Sequence, residues 1–66
     1  MAFFTSKQKR LDNKLLLACD RGDREKVEAL LAEGANINAK DSYQLTPLFY
    51  ATNRHNPDLL EFLILK

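Results

Sequence analysis

The stretch QLTPLFYATNRHNPDLLEFLILK, residues 44 to 66, repeats the pattern of the residues that precede it. When Leu48 is placed over Leu15, the two segments align without a gap at a period of 33 residues. The same register matches Ala18 with Ala51, Arg21 with Arg54, Glu28 with Glu61, and Leu30 with Leu63. Self-similarity at such a period predicts copies of one structural unit that bury their apolar faces against each other.

Each copy has the signals of two short helices. In the second copy, Thr46 is suited to cap a helix and Pro47 suits its first position, where a missing N–H costs nothing. Asn13 and Lys14 are their equivalents in the first copy, so the first helix is expected to run from there to Gly22. Glycine at that point favours the left-handed conformation that commonly ends helices.

The second helix of each copy has its own start and stop signals. Asp23 is expected to cap the helix REKVEALLAE, which Gly34 ends. Asn56 is the corresponding cap in the later copy, with Pro57 at the first helical position. Two helices per copy therefore follow from local signals alone.

The segment between the copies, residues 35 to 45, is too short for a helix and too polar for a buried strand. It predicts a protruding turn or hairpin with Asp41 to Gln44 near its tip. With Thr46-Pro47-Leu48 opening one helix and Gly34 to Asn38 following another, the chain resembles the ankyrin repeat family. The resemblance implies an all-α, helix-turn-helix solenoid segment with one protruding β-hairpin-like loop. The expected organisation is a basic N-terminal tail at residues 1–10 and a repeat segment at 11–66, with repeat 1 at about 11–43 and an incomplete repeat 2 at about 44–66.

Three positions depart from the family pattern. Phe49 lies where the family has a histidine that ties neighbouring loops by hydrogen bonds, so that tie is expected to be lost. Gln44 and His55 lie where the family prefers glycine. Both are therefore expected to adopt positive φ at some cost in strain.

The two copies also differ on their outward faces. Lys26 in the first copy matches Leu59 in the second, and Ala29 matches Phe62. A terminal repeat has no neighbour on its outer side and needs a polar face there. The first copy is therefore interpreted as the N-terminal cap of an array.

The second copy carries no such protection, and its Leu60, Ile64 and Leu65 are expected to form an exposed stacking face. Two explanations remain open, because stacked repeats generally need three or more units. The chain is a piece of a longer array, which we favour, and downstream repeats cover this face. Alternatively, another chain covers it, as in a self-assembling small subunit.

The reactive side chains of the sequence are not expected to form a catalytic or metal site. Cys19 aligns with a packing position and His55 with the turn position of Gly22, so a nucleophile and base pair is not expected. The nearby carboxylates of Asp20, Asp23 and Glu25 flank a turn and a helix start, where capping and the helix dipole favour them. We expect no catalytic residues, no metal and no cofactor.

The resemblance instead implies a non-catalytic scaffold for a protein partner, which the sequence does not identify. In arrays of this family, contacts come from loop tips and the adjoining first helices. The matching positions here are Lys40, Ser42, Tyr43, Leu45, Asn53, Arg54, Asp20 and Arg21. A second hypothesis makes the chain the targeting module of a larger enzyme or host-directed effector.

The charge distribution disfavours nucleic acid as a partner. The formal net charge is +1, but the basic residues Lys7, Lys9, Arg10 and Lys14 all fall in the first 18 residues, and the remainder is net acidic. KQKR, residues 7 to 10, is interpreted as a solvated tail. The single cysteine, the lack of a signal peptide and the lack of a long apolar run favour an intracellular, cytoplasmic location, with the nucleus left open.

Overall fold

The chain folds into two helix pairs. A computed structural model describes the backbone of residues 2 to 65 and the side chains of residues 7 to 65. Over that range the elements are α1 (Ala2–Arg21), α2 (Arg24–Glu33), α3 (Pro47–Asn53) and α4 (Pro57–Ile64), with no strand among them. Helix α1 packs against α2 and α3, and α3 packs against α4. The predicted all-α helix-turn-helix architecture is confirmed.

Helix α1 begins well before its predicted start. A start near Lys14 is wrong, because the helix is continuous from Ala2, and no glycine or proline interrupts residues 2 to 21. The side chain of Gln8 fixes this extension, since its amide donates to Asp12 at 2.9 Å and to the carbonyl of Gly34 at 3.0 Å. Within the described range, the basic residues near the N-terminus therefore lie on a helix, while the division into 1–10 and 11–66 stays a prediction.

The predicted caps are present at the three other helix starts. Asp23 accepts from the N–H of the residue three positions on at 3.2 Å, and Thr46 does so at the same distance. Asn56 makes the equivalent bond at 3.1 Å. Each satisfies a backbone donor that the first turn of its helix leaves unpaired.

The turns after the helices need left-handed backbone, as expected. Gly22 has φ 74° and Gly34 has φ 112°. Gln44 and His55 also have positive φ, at 67° and 54°. The family preference for glycine at these two positions is thus explained by their backbone conformation, which costs a residue with a side chain roughly 1–2 kcal/mol.

One hydrophobic layer joins the two copies. Val27 of α2 and Leu59 of α4 are both fully buried in it, although they belong to different copies. The buried members of the layer are Leu15, Ala18, Cys19, Val27, Leu30, Ala35, Ala51, Leu59 and Leu63. The core is therefore shared, and neither helix pair has one of its own.

Two apolar positions are covered in the first copy and exposed in the second. Leu15 is fully buried, whereas Leu48 is 45% exposed. Leu31 packs against the core, whereas Ile64 is 65% exposed. The second copy covers the first on this side, and no described residue covers the second.

We call the uncovered surface of the second copy the open face and define it by Leu48, Phe49, Ile64 and Leu65, all of them exposed. Leu60, which the sequence groups with Ile64 and Leu65, is half-buried and packs against the shared core. It contributes less to the open face than its two neighbours. The stacking role of these residues stays a prediction.

Gly22 is expected to be intolerant of a side chain. A Cβ at Gly22 would lie 2.7 Å from Nδ2 of Asn56, whose side chain caps α4. We expect Gly22→Ala to lower the free energy of unfolding by about 2–3 kcal/mol, roughly 1–2 from the left-handed backbone and about 1 from the displaced cap. Urea unfolding followed by circular dichroism measures the change.

A second substitution separates the two causes. Asn56→Ser keeps a capping oxygen but removes the amide group, so it should recover part of the loss in the Gly22→Ala background. In the Gly34→Ala background the same change should recover nothing, because nothing lies within 4 Å of a Cβ at Gly34. Equal effects of Asn56→Ser in both backgrounds would contradict a close contact between Gly22 and Asn56.

Candidate protein-binding surface

The tip of the loop between α2 and α3 is a tight turn organised by Asp41. Its N–H donates to the carbonyl of Leu45 at 3.1 Å, and the N–H of Gln44 donates to its carbonyl at 2.9 Å. The Asp41 carboxylate accepts from the N–H of Tyr43 at 2.8 Å and of Leu45 at 3.0 Å. The loop thus closes at Asp41 and Leu45 without forming a strand in the described part of the chain.

A side-chain bond ties this turn to α3. The hydroxyl of Tyr50 donates to the other carboxylate oxygen of Asp41. Tyr50 in turn packs edge-on against Phe49, with 5.9 Å between ring centroids. The sequence predicted that Phe49 cannot make the loop hydrogen bonds of the family histidine. It did not reveal that the next residue, Tyr50, makes a hydrogen bond to the loop instead.

The tie between Tyr50 and Asp41 shifts the pKa values of both groups. The hydrogen bond to Asp41, followed by desolvation, raises the pKa of Tyr50 to about 12. Donation from Tyr50 and then from the backbone of Leu45 lowers the pKa of Asp41. In the neutral range the phenol is therefore protonated and the carboxylate ionised, which are the states that this hydrogen bond requires.

We expect this pairing to be visible in a tyrosinate absorbance titration. In a Tyr43→Phe variant Tyr50 is the remaining tyrosine, and its ionisation midpoint should lie at about 12. Because its folded pKa is raised, the stability that the bond contributes is complete below the ordinary phenol pKa of about 10 and is lost as pH rises through the folded value.

The matched control adds Asp41→Asn, which keeps the shape of the side chain and removes its charge. The midpoint of Tyr50 should then fall toward the ordinary value. The same midpoint with and without the Asp41 carboxylate would show that the two groups do not interact in solution.

The structure places the predicted loop residues at the surface with one exception. Tyr43 is 79% exposed and does not fold back over the turn. Lys40 and Ser42 are exposed beside it, and Leu45 is half-buried at the base of the turn. A turn with fixed backbone thus presents an aromatic side chain to solvent.

The remaining predicted residues divide into two groups. Asp20 and Arg54 bind each other, with Nε of Arg54 donating at 2.9 Å, and this hydrogen bond raises the pKa of Arg54. Asn53 is exposed next to that ion pair. Arg21 lines a groove with Lys14 and Leu17. That the predicted residues form one binding surface stays a prediction.

A second ion pair, which the sequence did not reveal, also joins the copies. Arg24 donates to Asp58 at 2.8 Å and its guanidinium lies 5.2 Å from the ring centroid of Phe62. In both pairs the partners are 34 residues apart, one more than the repeat period. Exposed pairs of this kind contribute little to stability.

Cys19 and His55, the side chains considered for chemistry, differ in their exposure to solvent. Cys19 is fully buried, and burial raises the pKa of its thiol to about 11. The thiol therefore remains protonated at neutral pH, the form that is not nucleophilic. His55 is exposed after α3. In the described part of the chain, no cluster of three or more metal-ligating side chains occurs.

Among the described helices, none combines the length and apolar character needed to cross a bilayer.

Comparison with known proteins agrees with the geometry. A family model described as ankyrin repeats, in three copies, matches residues 4–66. No curated protein matches the chain significantly. The match extends over both helix pairs and includes part of α1 that precedes the predicted start of the first repeat.

Proposed function

The chain belongs to the ankyrin repeat family, and on that premise we propose that it is a non-catalytic scaffold that binds another protein. Ankyrin repeats are protein interaction modules. The absence of catalysis, the residues that make the contact and an intracellular setting are parts of this proposal. Fold analogy alone would not identify a surface, so the site must support it.

The observation that carries the proposal is the exposed aromatic ring on a turn that is already rigid. Tyr43 is 79% exposed while its own N–H is held by Asp41. The turn is also tied to α3 through Tyr50. A preorganised segment loses less conformational entropy when it binds, and tyrosine is enriched among the residues that dominate binding energy.

We place the partner on the loop side of the stack. Tyr43 is the central contact, with Lys40 and Ser42 beside it. Arg54 and Asp20 contribute as an ion pair that presents both charges, and Asn53 lies next to them. The proposed surface consists of Lys40, Ser42, Tyr43, Leu45, Asn53, Arg54 and Asp20.

Affinity capture with matched variants tests this surface. Tyr43→Ser and Lys40→Glu should each remove a defined set of captured proteins that the unaltered chain retains. Lys9→Glu is the control, because it makes the same charge change as Lys40→Glu at an exposed position on α1. Circular dichroism verifies that all variants remain folded.

The proposal fails if Tyr43→Ser and Lys40→Glu capture the same proteins as the control. Turnover of a substrate by the purified chain would separately overturn the non-catalytic assignment.

A specific observation also supports a second contact at the open face. Positions that are covered in the first copy are exposed in the second, as Leu15 and Leu48 show. We propose that a further helix pair of the same kind covers Leu48, Phe49, Ile64 and Leu65. With this additional helix pair, the chain would be one part of a longer array.

The polar contacts that join the first two copies would not recur at that junction. Asn53 lies at the position that matches Asp20, and Pro57 at the position that matches Arg24, so neither cross-copy ion pair has its equivalent. His55 lies where Gly22 admits the capping side chain of Asn56. A third unit would therefore be held mainly by apolar contacts and would need a smaller cap.

A further inference from the structure

The N-terminal helix carries a one-sided row of basic side chains. Lys7, Arg10, Lys14 and Arg21 are all exposed on α1. Their spacing places them within about 60° of arc on a helix of 3.6 residues per turn. The core-facing residues Leu11, Leu15 and Cys19 lie on another side of this helix. The helical period thus separates a basic side of α1 from its buried side.

A groove with both charged and apolar lining residues opens beside this row. Leu17 is 49% exposed, and its position on the helix lies at the edge of the arc that holds the basic side chains. The groove has a volume of about 270 Å³ and reaches α2, where Lys26 adds a further cation. Its lining residues are Lys14, Leu17, Ala18, Arg21, Asp23 and Lys26. We call Lys7, Arg10, Lys14, Arg21 and Lys26, with Leu17 between them, the basic stripe.

The cations of the basic stripe have no carboxylate partner among the described residues. The ion pairs in that part of the chain are made by Arg24 and Arg54. Asp23 is the one carboxylate lining the groove, and it accepts from the backbone N–H of Lys26 as a helix cap. The positive charge of the stripe is therefore not neutralised internally.

The capping role of the first copy accounts for polar side chains on its outer face, but it does not account for their shared positive charge. Arg21 is favourably placed in the last turn of α1, where cations interact with the helix dipole. Lys7, Arg10 and Lys14 are three and four residues apart, and like charges at that spacing destabilise a helix. A ligand of opposite charge would reverse the sign of this contribution.

We propose that the basic stripe binds an acidic segment of a partner protein, with one apolar side chain of that segment seated against Leu17. From Lys7 to Arg21 the stripe is about 21 Å long, which matches about four turns of a helix. Carboxylates on one face of such a segment would meet the cations of α1, and its apolar residue would enter the groove between Lys14 and Lys26.

The features of the groove favour an acidic protein over other polyanions. Nucleic-acid binding needs several phosphate contacts and commonly stacks bases on aromatic rings, but the groove offers Leu17 and Ala18 in place of a ring. A bilayer surface would need a wider apolar face than one half-exposed leucine. The stripe is also distinct from the proposed loop surface, so either can bind without the other.

Fluorescence anisotropy with a labelled helical peptide tests the proposal. The probe carries glutamates on one face and a leucine at its centre; a second peptide of the same composition has its glutamates distributed around the helix. The full chain should bind the first peptide about tenfold more tightly, and this affinity should fall as salt rises. A poly-dT oligonucleotide and vesicles containing phosphatidylserine serve as the alternative anions.

Variants of equal net charge then locate the contact. Arg10→Glu with Lys14→Glu should weaken binding about tenfold or more, whereas Lys9→Glu with Lys40→Glu should weaken it about twofold through net charge alone. Leu17→Ala, at a half-exposed position, should weaken binding severalfold and leave the salt dependence unchanged. The neutral pair Arg10→Gln with Lys14→Gln replaces the charge reversal if that variant fails to fold.

The proposal is overturned if the two charge-reversed pairs lose affinity equally or if Leu17→Ala has no effect. Tighter binding of the oligonucleotide or the vesicles, or no peptide binding at low salt, overturns it as well. The loop variants Tyr43→Ser and Lys40→Glu should retain peptide binding, which separates a failure here from a failure of the loop surface.

Discussion

Leu15→Ala is expected to abolish the cooperative unfolding transition of the chain, whereas Leu48→Ala is expected to preserve it. The two leucines occupy the same position in the two copies, but Leu15 is fully buried and Leu48 is 45% exposed. Truncating a buried leucine costs about 2–5 kcal/mol. A core of this size supplies only roughly 3–5 kcal/mol, so the loss is comparable to the whole stability.

Urea unfolding of both variants, followed by circular dichroism, provides the measurement. Leu48→Ala should lower the midpoint only slightly, since part of its side chain already contacts water. Both substitutions replace leucine by alanine at equivalent positions of the repeat, so residue type and helix propensity do not contribute to the difference between them. Equal losses at the two positions would mean that Leu48 is covered in solution, and an intact transition in Leu15→Ala would contradict the shared core.

Local signals account for the parts of the fold that the sequence predicted. Thr46 and Asn56 cap their helices through bonds to residues three positions away, so a short window of sequence contains the whole cause. The same is true of positive φ at Gln44 and His55, where the family preference for glycine marks the backbone conformation. These features do not depend on how the copies pack.

The 33-residue period predicts the wrong start for α1, because the two copies differ in the residues that precede their first helices. In the second copy a loop and Pro47 precede the helix, and the period suggested a start at the equivalent Lys14. The first copy has no preceding loop, so nothing ends the helix there. Gln8 then finds partners on the same helix and at Gly34, a contact that only the packed structure reveals.

The candidate surfaces were harder to predict for a related reason. Tyr50 and Asp41 are nine residues apart in a loop whose path the sequence does not define. The basic stripe depends on residues 7 to 10 being helical. If these residues formed an irregular tail, as the sequence predicted, their charges would have no fixed spacing. Arg54 and Asp20 were predicted as contacts but also bind each other across the copies.

Adding a third helix pair is expected to raise the free energy of unfolding by about 3 kcal/mol or more. Burying a large apolar side chain contributes roughly 1.5–3 kcal/mol, and the open face exposes several, with Ile64 at 65% and Leu65 at 79%. The appended unit can copy residues 34 to 66 after Lys66, with serine replacing the counterpart of Asn56 because His55 carries a Cβ where Gly22 has none.

The matched control is the same extension with aspartate at the counterpart of Leu59, the fully buried residue through which the second copy packs on the first. It has the same length but should not stack, so it should give no gain in the urea midpoint. Equal midpoints for the stacking and non-stacking extensions would exclude a repeat-like occupant of the open face.

The extension should also change the cost of Leu48→Ala. Once covered, Leu48 becomes the equivalent of Leu15, and its truncation should then cost about 2–5 kcal/mol. In the 66-residue chain the same substitution should remain mild unless a second copy covers the face, in which case sedimentation velocity would show a dimer that Leu48→Ala dissociates. The residue and its local helix are the same in the 66-residue chain and in the extended chain. A difference in the cost of Leu48→Ala between these two chains therefore shows that burial at this position depends on the next unit of the stack.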